Sequence, residues 1–134
     1  MPEIVGEERI LIVEDEKVVA DTLGKILSAN GYDIRVDYSA EAAMLTIAQW
    51  EPAVAILDVI LPKMNGVEFA VALKGRFAEC QVLLFSGQPS AEGLMQKARS
   101  EGHKFEILAK PVHPTVMLDA ISSLLCPNNP QRCR

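Results

Sequence analysis

Five short strand-length segments, two of them wholly apolar, constrain this chain more than any other feature: Ile10-Leu11-Ile12-Val13, Tyr32 to Val36, Val54-Ala55-Ile56-Leu57, Gln81 to Phe85 and Phe105-Glu106-Ile107-Leu108-Ala109. Between them lie segments with apolar residues at three- and four-residue spacing. Strand-length runs alternating with helical periods are the pattern of βαβ units around a parallel sheet. Parallel strands are covered on both faces, so their runs are continuously apolar rather than alternating. The expected class is therefore α/β.

The helical segments carry their own punctuation. Val18, Val19, Leu23, Ile26 and Leu27 form the first stripe, which Asn30-Gly31 stops, Gly31 supplying a left-handed residue. Ser39 is a candidate N-cap for a helix holding Ala42, Ala43, Leu45, Ile47 and Ala48, with Trp50 finishing its apolar face. A third helix is expected from Val67 to about Phe77, and a weaker fourth from Ala91 to about Glu101, where Gly93 lowers helix propensity. Pro114 opens the last, with Val116, Leu118, Ile121, Leu124 and Leu125 on its apolar side.

At 134 residues one domain is expected, with residues 1–8 as an N-terminal extension, 9–126 as the domain and 127–134 as a tail. A net charge of -5 with no basic patch argues against nucleic acid as partner. Apolar stretches fall well short of the roughly 20 residues that span a bilayer, and the acidic start is unlike a signal peptide. No membrane association and a cytoplasmic location are expected. Cys80, Cys126 and Cys133 have no metal-ligand spacing; Cys80 reads as a small apolar residue, and His103 and His113 as solvated or capping residues.

Charged residues close three of the runs. Ligands in open α/β sheets collect at the carboxyl ends of the strands, so Glu14-Asp15, Asp58 and Lys110-Pro111 would converge on one crevice. Each has a plain structural alternative: Glu14 and Asp15 as acids capping the next helix, Asp58 as a strand-end turn residue, Lys110 as an exposed lysine. Together they form a hard-oxygen site suited to magnesium, a carboxylate nucleophile and a counter-charge for phosphoryl transfer. Ser86, beside Gly87, adds a hydroxyl donor. An X-Pro bond at Lys110-Pro111 can adopt cis and aim its neighbour.

In order and spacing, Ile-Leu-Ile-Val-Glu14-Asp15, Ile-Leu-Asp58-Val-Ile-Leu-Pro62-Lys-Met-Asn-Gly66, Phe-Ser86-Gly and Lys110-Pro111 resemble the receiver domains of two-component response regulators. The resemblance runs from Ile10 to Leu125. It implies a doubly wound (βα)5 flavodoxin-like fold, five parallel strands in order 2-1-3-4-5 with helices on both faces. It also implies that Asp58 accepts phosphate from a histidine kinase or histidine phosphotransfer protein. Asp15, Asp58 and the Ile60 carbonyl would bind Mg2+, with Glu14 acting mostly through water. Ser86 and Lys110 would hold the phosphoryl group, and Gly66 would serve the turn into the third helix.

Such a protein is a phosphoacceptor that assists its own phosphorylation rather than an enzyme turning over a substrate. Its output is expected through the face of the fourth helix, fifth strand and last helix, toward a separate protein, as a monomer or weak homodimer. The chain departs from the family at Gly87, often Ala, at Ile107, commonly an aromatic switch, and at Gly102-His103-Lys104-Phe105. Ile60, apolar and two residues after Asp58, is expected to slow hydrolysis of the acyl phosphate unless Gln88 compensates. A haloacid dehalogenase-type phosphatase would need an acid where Ile60 stands, and a flavodoxin-like carrier would not place Glu14-Asp15-Glu16 in its phosphate loop. A docking module that works without phosphate is the remaining alternative.

Overall fold

The computed structural model describes residues 8–87, 91–102, 105–110 and 112–125. Strands β1 (Arg9–Val13), β2 (Asp33–Asp37), β3 (Val54–Asp58), β4 (Gln81–Ser86) and β5 (Glu106–Ala109) alternate with helices α1 (Lys17–Ala29), α2 (Ala40–Ile47), α3 (Gly66–Arg76), α4 (Ala91–Ser100) and α5 (Pro114–Leu125). All strand pairs are parallel, in the order β2-β1-β3-β4-β5. The α/β expectation and its strand order hold.

Alternate strand residues feed two cores. Leu11, Val13, Ala55, Leu57, Val82 and Leu84 pack under α2, α3 and α4 with Phe69, Leu73 and Met95. Ile10, Ile12, Val54, Ile56, Leu83 and Phe85 face α1 and α5 with Leu23, Leu27, Met117 and Ile121. The central strands thus read as continuous runs because both faces are covered.

Local punctuation behaves as its chemistry dictates. Gly31 has φ 94°, and the N–H groups of Gly31 and Tyr32 donate to the Ser28 and Leu27 carbonyls, a Schellman stop. Ser39 Oγ accepts from Ala42 N–H at 3.1 Å. Asn65 and Glu68 form a reciprocal capping box at α3, and His113 Nδ1 accepts from Thr115 N–H at the start of α5, the capping role expected of it. Trp50 is buried in the cluster that holds Ala43 and Ile47, with Arg9 and Arg35 over its ring.

Several expected core residues are not core. Val18 is 80% exposed, Leu45 76% and Val116 49%; the α1 stripe is instead Ala20, Leu23, Gly24 and Leu27, and α5 buries Met117. β5 begins at Glu106, and as an edge strand it is largely exposed rather than buried on both faces. At the start of α1 the N-cap residue, Glu16, makes no side-chain cap bond of its own, but its N–H donates to Glu14 Oε2 at 3.0 Å. Pro111, Gln88, His103, Lys104, Cys126 and Cys133 lie outside the described residues, as do the readings placed on them.

Candidate functional site

Sheet register builds the site. Val13 pairs with Leu57, so the next residue of each strand, Glu14 and Asp58, lie side by side where the two runs end. Glu14 continues the ladder on its other side through its N–H to the Asp37 carbonyl, 3.1 Å. Asp58 pairs with Phe85, and Ser86 with Ala109. Lys110 follows directly, its N–H donating to the Ser86 carbonyl at 3.0 Å.

Lys110 ties the ends together. Its Nζ donates to Glu14 Oε1 at 2.7 Å and to Asp58 Oδ2 at 3.1 Å, with Glu16 Oε1 at 4.0 Å. Glu14 is fully buried and Asp58 6% exposed, so these carboxylates need that counter-charge: buried ions are costly unless paired. The ammonium also lies 4.9 Å from the Phe85 ring centroid, a contact with the negative face of the π-system. Burial pulls the Lys110 pKa down, but hydrogen bonds and attraction to Glu14 and Asp58 outweigh it and leave the ammonium above its ordinary value.

One lysine does not balance this cluster. Oxygens of Glu14, Asp15 and Asp58 lie within 4.8 Å of one another. Desolvation, then the hydrogen bond and repulsion from Glu14, push the Asp15 carboxyl above the usual range. The excess negative charge opens into a crevice of about 470 Å³ whose lining includes Asp15, Glu16, Asp58, Ile60, Gly87 and Lys110. Hard carboxylate oxygens, one of them exposed, at the mouth of a crevice are a donor set that fits a magnesium-sized cation.

The loop after β3 forms the opposite wall. Ile60 N–H donates to Asp58 Oδ1 at 3.1 Å, which leaves the Asp58 oxygens in different environments. Gly66 is packed so tightly that a Cβ there would meet the Asp58 carbonyl oxygen at 2.0 Å. Its lack of a side chain thus serves close approach beneath Asp58. A Cβ at Gly87 would sit 3.3 Å from Lys110 Cβ, so glycine gives the lysine slightly more room than alanine would.

Of the residues singled out from the sequence, the fold brings Glu14, Asp15, Asp58 and Lys110 together and places Ile60 in the crevice wall. Ser86 is buried at the end of β4, one residue beyond the partner of Asp58. Phe85 and Glu16 escaped the sequence reading. Phe85 is indistinguishable from any core residue in a run, and Glu16 enters only as the third acid of Glu14-Asp15-Glu16.

A family model described as the response regulator receiver domain matches residues 10–122. The chain belongs to this family. The receiver domain is similar to response regulator MprA of Mycobacterium tuberculosis, 28% identical over 123 residues, which are 92% of this chain and 53% of that protein. It therefore spans about half the length of the curated relatives it matches. Among solved structures it is similar to a CheY-like receiver domain protein from Methanospirillum hungatei, at TM-score 0.82 and 24% identity, covering 95% of this chain and 98% of that one. A signal receiver domain of an HD domain-containing protein from Pseudomonas fluorescens is similar at TM-score 0.81 and 26% identity, with 90% and 95% covered. The chain is thus a signalling domain of two-component response regulators. Among the described residues no helix is long and apolar enough to cross a membrane.

Proposed function

We propose that this receiver domain accepts a phosphoryl group on Asp58 from the phosphohistidine of a histidine kinase or histidine phosphotransfer protein. The observation that carries the reading is the placement of the Asp58 carboxylate. It stands at the end of a fully buried strand, beside two further carboxylates, with an ammonium 3.1 Å away. An Asp58 oxygen attacks phosphorus as the P–N bond breaks, and the electron pair leaves on the imidazole nitrogen, giving an acyl phosphate and histidine. Positioning and charge neutralisation are the main demands of such a transfer.

Glu14, Asp15, Asp58 and the Ile60 carbonyl are the residues that would hold Mg2+, whose chemistry here is to offset repulsion between the carboxylate and the phosphoryl oxygens. Lys110, already on Asp58 Oδ2, exchanges that contact for a phosphoryl oxygen. The Ser86 hydroxyl donates to another. The face of α4, β5 and α5 then repacks for a protein partner, a small displacement amplified by a two-state surface. Ile107 on β5 and Val116 on α5 are exposed.

The test is incubation of the full chain with acetyl phosphate and Mg2+, read by intact mass. One added phosphoryl group is expected, lost with EDTA and with Asp58→Asn. A mass that stays unchanged in the wild type would instead support a docking module independent of phosphate.

A further inference from the structure

The loop between β3 and α3 carries Ile60 into the crevice wall and turns through Lys63 at φ 62°, a left-handed conformation that side chains rarely adopt. Such a residue persists when its surroundings over-determine it. The loop's first N–H, that of Val59, pairs with the Phe85 carbonyl of β4 at 3.1 Å, and four more hydrogen bonds are donated by backbone N–H groups between Ile60 and Gly66, the first residue of α3. Ile60 donates to Asp58 Oδ1 at 3.1 Å, Asn65 to Glu68 Oε1 at 3.0 Å and Gly66 to the Val59 carbonyl at 2.9 Å. These three close within residues 58–68. The fourth, Met64 N–H to Glu41 Oε2 at 3.0 Å, comes from the first turn of α2, 23 residues away.

Glu41 is built for that bond. It sits where a helix N-terminus favours negative charge. Its carboxyl is held below the usual range by the Met64 N–H, then by its own N–H and the nearby Lys63 ammonium. Nothing in the phosphotransfer chemistry uses it.

We infer that Glu41 is a positioning residue for the crevice: by clamping Met64 it fixes the loop that presents Ile60, and so sets the affinity for a divalent cation. The inference rests on the reading of the Ile60 carbonyl as a metal ligand. Glu41 itself touches neither cation nor phosphate. It supplies the tether between α2 and the strained loop.

Two measurements on the full chain test it, neither requiring phosphorylation: amide hydrogen exchange of Met64 without Mg2+, and an Mg2+ titration followed by the amide shifts of Asp58, Ile60 and Gly66. Glu41→Ala is expected to speed Met64 exchange about tenfold, the loss of one bond to a charged acceptor. It should raise the half-saturating Mg2+ concentration roughly three- to tenfold. Glu41→Gln keeps an acceptor oxygen, so both values should stay within about twofold of wild type. Equal Mg2+ midpoints in wild type and Glu41→Ala would overturn the inference alone, as would a glutamine variant no better than alanine. A wild-type chain whose amides ignore Mg2+ would overturn the metal reading and the inference with it.

Discussion

Replacing Gly66 with alanine sets two effects of opposite sign against each other. Gly66 opens α3, and helix propensity alone favours alanine there by up to about 1 kcal/mol. Against that, the new Cβ would meet the Asp58 carbonyl oxygen at 2.0 Å, its carbonyl carbon at 2.8 Å and Val59 Cα at 3.0 Å. All three are backbone atoms of a strand end and its exit, so no rotamer relieves the overlap. Overpacking costs typically about 1–3 kcal/mol, and with backbone on both sides we take ~3, leaving a net loss of about 2 kcal/mol after propensity. For 134 residues, an unfolding entropy of ~2.1 cal/mol/K per residue gives about 0.28 kcal/mol/K and a Tm lower by roughly 7 °C. Thermal unfolding by circular dichroism reads this directly. Because the displaced carbonyl belongs to Asp58, acetyl phosphate labelling should slow in parallel. A Tm equal to or above wild type would show that α3 slides freely on β3, and would refute the view that Gly66 is fixed by close approach.

The remaining expectations concern other parts of the molecule. Lys110→Met removes the counter-charge of fully buried Glu14 and should destabilise the EDTA-treated protein by about 2–4 kcal/mol in urea melts, somewhat less than the roughly 3–5 kcal/mol for breaking a wholly buried pair because the lysine is partly exposed; a loss below about 0.5 kcal/mol would deny the pairing its weight. Because the folded Lys110 pKa is raised, its contribution is fully present below the unfolded lysine value near ~10.4 and fades as pH rises through the folded value. The gap between wild type and Lys110→Met should thus be flat from neutral pH to about 10 and close above it; a gap that closes below pH 9 contradicts the sign. Burial pushes the Cys80 thiol up to about 12, so in a Cys126→Ser, Cys133→Ser background a thiol reagent at pH 8 should react only on unfolding. Ile60→Asn places a group able to orient water at the crevice wall and should speed loss of the phosphoryl group about tenfold or more; an unchanged decay would discard the slow-hydrolysis argument.

Much of the site was legible because strand ends in a parallel sheet are marked twice, by the close of an apolar run and by the charged residue that follows. Asp58 after Val54-Ala55-Ile56-Leu57 and Lys110 after Leu108-Ala109 are read that way. Burial was less legible. Val18, Leu45 and Val116 have the right chemistry and near-helical spacing, yet a helix covers only an arc of its surface with neighbours, and these point beyond it. The fifth segment reads as a buried strand, yet β5 has one strand neighbour where β3 has two, and its residues are largely exposed.

By itself the sequence determined the class of fold, the order of its elements, the helix stop at Gly31 and the helix start at Ser39, and which acids and which lysine stand at strand ends. Those are local properties, set by periodicity, backbone freedom and side-chain donors within a few residues. Only the tertiary structure decided that Lys110 reaches across the Phe85 ring to hold Glu14 and Asp58 together, that Gly66 presses on the Asp58 carbonyl, and that Glu41 tethers the loop from α2. Each joins residues from different elements, and such contacts exist only once register and packing have fixed the distance between them.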